Sequence, residues 1–110
     1  MSPAVPGTRP RDTVARVFVL LLTYTRPLDE VDALMRRHMA WLDEGYEAGR
    51  FLVSGRRIPR TGGVILARGD DRAEIEALAA TDPFVSGGVA TCEVIQFRAS
   101  QTADGFDALL

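Results

Sequence analysis

Arg16-Val17-Phe18-Val19-Leu20-Leu21-Leu22-Thr23-Tyr24 is an apolar, partly β-branched run with aromatic residues near both ends. It is too short for a typical helix, and its apolar side chains fall on both alternating faces. It therefore reads as a central strand covered on both sides. In a small domain helices cover one face of such a sheet. A second subunit is the usual cover for the other.

Downstream, Arg26-Pro27-Leu28-Asp29 breaks the strand. Asp29 is the expected N-cap of a helix, with Glu30 and Asp32 favoured near its positive end. Apolar residues then recur at Val31, Leu34, Met35, His38, Met39, Leu42 and Tyr46. Spacings of three and four place them on one stripe. Gly49 suits the left-handed residue that ends a helix. Phe51-Leu52-Val53-Ser54 is a short second strand. Residues 55–61 are basic, contain Pro59 and read as a loop, and Gly62 to Arg68 is a third strand. Asp70 is the expected cap of a helix over 71–80. Pro83 bars its continuation past Asp82, and 84–88 reads as a turn. Ala90 to Arg98 is the last strand.

The order β-α-β-β-α-β, with right-handed crossovers, predicts a ferredoxin-like α+β domain. Its four-stranded antiparallel sheet carries both helices on one face. Two such sheets packed face to face make a dimeric α+β barrel. The domain spans residues 16–98, between a proline-rich leader at 1–15 and a C-terminal tail at 99–110. Phe106, Leu109 and Leu110 of that tail are candidates for docking on a partner.

Composition narrows the function. The chain has 110 residues, 46% hydrophobic and 25% charged, as expected of one soluble domain. A net charge of −2 argues against nucleic-acid binding. All thirteen basic residues are arginine, which excludes lysine Schiff-base chemistry and a P-loop lysine. The longest apolar run, Val17 to Leu22, is too short to span a membrane, and the leader lacks the apolar core of a signal peptide. Cys92 is the only cysteine. It excludes an intrachain disulfide and fits a reducing, cytoplasmic setting. Its apolar strand context makes it an inert thiol.

The chemistry-bearing candidates are few. His38 is the only histidine and faces inward with the helix stripe. By itself it fits either a core histidine satisfied by one hydrogen bond or a general acid/base. Asp82, held at the end of the second helix, is its natural partner. It would fix the imidazole tautomer and stabilise the imidazolium, although Asp before proline is also a common turn residue. Phe84 would wall the pair. Ser54, at a strand end, is a hydrogen-bond donor to a substrate oxygen or a structural serine. Arg56, Arg57 and Arg60 form a basic loop, with Arg26 a further neighbour, that is either solvated or a binder of a substrate carboxylate or phenolate. No ligand spacing suggests a metal site.

These residues stand in an order that resembles the YciI-like, or YCII-related, family. The matching pieces are His38-Met39-Ala40-Trp41-Leu42, Gly49-Arg50-Phe51-Leu52-Val53-Ser54-Gly55, Gly63-Val64-Ile65-Leu66, Thr81-Asp82-Pro83-Phe84 and Gly88-Val89. The likeness covers residues 16–98. It implies a homodimeric α+β barrel joined through the open sheet face, with an active site at His38 and Asp82 and a matching Ser54. The family often has proline after Ser-Gly, where this chain has Arg56. Some relatives remove chloride from chlorinated hydroxyquinones, and similar barrels isomerise lactones. Both chemistries move a proton beside an activated carbonyl or enol. The expectation is a cofactor-free, metal-free lyase or isomerase acting on a small anionic cyclic or aromatic metabolite. His38 and Asp82 would be catalytic, and Ser54, Arg56 and Phe84 would bind substrate. The alternative is a non-catalytic dimer that holds such a ligand, and a third reading makes the His–Asp pair purely structural.

Overall fold

The computed structural model describes residues 15–110; the expected leader therefore lies, apart from Ala15, outside the described residues. The element order is β1 (Ala15–Tyr24), α1 (Leu28–Ala33), α2 (Met35–Glu47), β2 (Phe51–Arg56), β3 (Gly62–Arg68), α3 (Arg72–Ala80), α4 (Pro83–Ser86) and β4 (Ala90–Ala99). A 3₁₀ turn at Phe106–Leu109 follows. The sheet order is β2-β3-β1-β4, and every neighbouring pair is antiparallel. This is the ferredoxin-like α+β plan. Each crossover skips one strand, so β3 lies between β1 and β2, and β1 lies between β3 and β4.

Register assigns the faces. Phe18, Leu20 and Leu22 stand opposite Ala67, Ile65 and Gly63 on one side, and opposite Gln96, Val94 and Cys92 on the other. These β1 side chains are buried with Val31, Trp41, Leu42, Ile75, Ala79 and Phe84 of the helices in one core. The opposite face behaves differently. Val17 is buried and Val19 and Leu21 are half-buried, while Val53, Val64, Ile95 and Phe97 are exposed. The described chain thus covers β1 fully on the helical face alone.

Four local expectations are corrected. Asp29 does not cap the first helix. The helix starts one residue earlier, directly after Pro27, whose carbonyl accepts the Glu30 and Val31 N–H groups. Proline at that boundary loses no hydrogen bond, because an opening residue has no helical acceptor for its N–H. The single long helix is two segments, interrupted at Leu34 (φ −104°, ψ 1°). Leu34 lies against Gly87, where an added Cβ would come within 2.5 Å of its Cδ1. Asp71, not Asp70, caps α3: its side chain accepts the Ala73 N–H at 3.0 Å, and Arg16 takes the Asp70 carbonyl instead. The expected turn after Asp82 is the short helix α4.

The inward stripe of α2 runs through His38, Trp41, Leu42 and Gly45. Met39 and Tyr46 flank it and are exposed. Gly45 sits where a Cβ would lie 2.1 Å from the Phe51 ring, so the helix approaches β2 closely only because this residue has no side chain. Gly49, at φ 73°, ends the helix as expected. Behind it the Arg50 N–H reaches back to the Gly45 carbonyl. The tail is tied to the sheet where Arg68 donates to the Leu109 carbonyl at 2.7 Å.

Gly45→Ala is expected to lower stability by about 1–3 kcal/mol through overpacking against Phe51. Urea unfolding measures it. An unchanged midpoint would show that the helix does not rest tightly on that ring.

Candidate active site

His38 reaches the interior from the second turn of α2, and Asp82 meets it from the N-cap position of α4. His38 Nδ1 lies 2.8 Å from Asp82 Oδ1. The same Oδ1 accepts the Phe84 N–H at 2.9 Å. An oxygen that accepts in both contacts leaves the shared proton on Nδ1. Nε2 is then the nitrogen able to take or give a proton, and it has no hydrogen-bond partner among the described residues. His38 is 8% exposed and Asp82 1%. Asp82 Oδ2 is buried without a hydrogen bond among the described residues.

Packing fixes the imidazole plane. Phe84 stacks on His38 with centroids 3.9 Å apart and planes 10° from parallel. Trp41 lies on the ring at 5.9 Å and 26°. Tyr24 meets Phe84 edge-on at 5.8 Å. A second bond runs beside the His–Asp contact: Trp41 Nε1 donates to Thr81 Oγ1 at 2.9 Å, and Thr81 donates to the Leu78 carbonyl. Residues 38 and 41 of one helix are thus fastened to residues 82 and 81 of another segment.

His38, Ser54, Arg56 and Phe84 line one pocket of about 170 Å³. Asp82 lies behind the imidazole, outside the lining. The walls are otherwise apolar, with Leu22, Tyr24, Met35, Met39 and Leu42. Gly55, Gly62 and Gly63 contribute only backbone to the lining. Arg56 forms no ion pair among the described residues. The other loop arginines are engaged elsewhere: Arg26 holds Glu30, Arg60 holds Asp32, and Arg57 approaches the Thr23 hydroxyl. Of these arginines Arg56 alone lines the pocket, from the last position of β2 rather than from the expected loop.

Sequence reading missed Tyr24, Met35 and Met39 as pocket residues. The two methionines sat on the apolar stripe and were assigned to the core, yet Met39 is 49% exposed. It also missed the Trp41–Thr81 bond, for which the Thr81-Asp82 adjacency was the available signal. Tyr46 was read as core. Its hydroxyl instead lies 2.6 Å from Ser54 Oγ.

A family model, the YCII-related domain, matches residues 17–98. The chain belongs to the YCII-related family. No curated protein matches it. A similar solved structure is 5-chloro-2-hydroxyhydroquinone dehydrochlorinase from Burkholderia phenoliruptrix AC1100, in complex with 2,5-dihydroxybenzoquinone. It is 18% identical, with a TM-score of 0.64, and the match covers 74% of this chain and 92% of that one. At that identity the likeness establishes the shared fold.

Among the described residues no three His, Cys, Asp or Glu side chains gather as metal ligands, and no helix is long and apolar enough to cross a membrane. Cys92 lies apart from the His38 pocket, in a hollow with Glu76, Ala79, Ala80, Val85 and Val94. Burial, with a smaller contribution from the negative charge of Asp82, pushes its thiol from 9.0 up to about 11. Both causes disfavour the thiolate.

Iodoacetamide is accordingly expected to alkylate the native protein more slowly than the urea-unfolded chain at pH 8. The native rate should still climb with pH above 9. Because the folded form keeps its thiol proton longer, raising the pH from about 9 to about 11 disfavours the folded state. A native rate that levels off near pH 8 would mark an activated cysteine instead.

Proposed function

We propose that this YCII-related protein is a small cofactor-independent enzyme of the lyase or isomerase type. Its substrate is a small anionic cyclic or aromatic metabolite. The observation that carries the reading is the buried His38–Asp82 pair behind an apolar pocket, with Nε2 of the pocket-lining ring unpartnered among the described residues. Nε2 of His38 removes a proton from substrate carbon beside a carbonyl or enol. Asp82 stabilises the imidazolium that forms and holds its orientation. The electron pair left on the substrate moves into the carbonyl oxygen, where Ser54 and Arg56 stabilise it. It then either collects a proton from the imidazolium at a second carbon or expels a leaving group such as chloride. Phe84, flat on the imidazole, keeps water from the other ring face.

A cavity of about 150 Å³ is enough to hold benzene. A pocket of about 170 Å³ therefore supports a single-ring substrate. The dehydrochlorinase relative, solved with a dihydroxybenzoquinone, is consistent with this class. Arg56, which forms no ion pair among the described residues, supports a substrate that carries negative charge. The apolar, half-open face of Val19, Leu21, Val53, Val64, Ile95 and Phe97 supports a homodimer closed through the sheet. The single thiol, Cys92, agrees with a cytoplasmic setting.

A screen of small anionic aromatics and lactones tests the reading. Full turnover is expected from the wild type. His38→Ala should lose on the order of 10²–10⁴-fold in kcat, the usual contribution of a general acid/base. Asp82→Asn should lower kcat more than it raises KM. Full activity in His38→Ala would remove the histidine from the mechanism. Thermal stabilisation by a ligand that is never converted would make the protein a binding module.

A further inference from the structure

One polar contact at the pocket belongs to no part of the His–Asp pair. Tyr46 lies two helical turns beyond His38 on α2, and its hydroxyl sits 2.6 Å from Ser54 Oγ on β2. The ring is held in place by an edge-on contact with Phe51, at 6.0 Å and 85°. Ser54 stands opposite Ile65, a residue of the helical face, and lines the pocket. A serine carries one O–H. If Ser54 donates it to Tyr46, none is left for a ligand. If Tyr46 donates, the serine proton is free to turn into the pocket. A phenol is a far stronger acid than an aliphatic alcohol, so the second arrangement is favoured.

We propose that Tyr46 is a positioning residue: it donates its hydroxyl proton to Ser54 Oγ and so commits the Ser54 hydroxyl to donate to an oxyanion or carbonyl oxygen of the ligand. This rests on the reading of the pocket as a site for small anionic rings, and it adds what the ring must carry. The oxygen facing β2 is an acceptor, a phenolate, enolate or carbonyl. An ammonium there would meet a donor with a donor, and a protonated hydroxyl would accept more weakly than an oxyanion. Tyr46 is itself 40% exposed, so the chain of hydrogen bonds runs from solvent through Tyr46, on the helix that also carries His38, across to Ser54 of β2 and on to the ligand.

The experiment is a titration of the full chain with 4-nitrophenol at a pH where the free dye is half ionised, read at the phenolate absorbance. The proteins are wild type, Tyr46→Phe, Ser54→Ala and the double variant. Wild type should bind the phenolate preferentially, and the absorbance should rise on binding. Tyr46→Phe keeps the ring on Phe51. It should nonetheless bind the phenolate about tenfold more weakly, the scale of a hydrogen bond to a charged group, with a smaller absorbance rise. Ser54→Ala should do the same, and the double variant should lose no more than Ser54→Ala alone. Unchanged affinity in Tyr46→Phe, or losses that simply add, would overturn the proposal and leave the pocket reading standing. A wild type that takes up no dye would overturn both.

Discussion

Asp82 Oδ1 is the atom on which the interior depends. A carboxylate that is nearly inaccessible to water is costly unless its acceptors are used. Here one oxygen is used twice, by the imidazole of α2 and by the N–H that opens α4. The helix turn and the histidine are thereby located by the same acceptor. Phe84, whose N–H makes that bond, brings its ring back over the imidazole. Three residues therefore define one another's positions, and the pocket forms on the remaining edge of the histidine.

The topology explains why distant residues meet. A split crossover puts both helical layers on one sheet face, so the end of α3 is delivered beside α2. The Trp41–Thr81 bond runs alongside the His38–Asp82 bond and resists rotation of α2 about a single point of attachment. Close seating of α2 on β2 depends on a residue without a side chain at Gly45. That seating also brings Tyr46 within reach of Ser54.

Much of this was legible in the residues. The apolar run at 16–24 marked the central strand. Gly49 marked a helix end, and Pro83 marked where α3 had to stop. His38 and Asp82 could be paired because the element order left few other topologies. Less could be read where two residues offered the same local chemistry. Asp70 and Asp71 are equally good caps on paper, and only the demand of Arg16 for the Asp70 carbonyl separates them. Asp29 suits a cap, but a proline two residues earlier begins the helix without one. The break at Leu34 carries no glycine or proline to announce it, and its side chain packs beside Gly87, which is remote in sequence. The pocket was hidden for a related reason. Methionines at helical spacing, as at Met35 and Met39, signal burial, and periodicity does not distinguish packing against protein from lining a cavity.

The wall of the pocket formed by Gly55, Gly62 and Gly63 has a consequence for how such a protein diversifies. Gly62 is closed to change, because a Cβ there would strike the Leu22 carbonyl. Gly55 is different: nothing lies within 4 Å of where its Cβ would be. Gly55 pairs with Val64, so a side chain added there would project onto the open sheet face while the pocket, the His38–Asp82 contact and the strand pairing stay as they are. One glycine-rich edge thus holds the pocket side of the sheet fixed while leaving its opposite side, the surface proposed to meet a second copy, free to change one residue at a time.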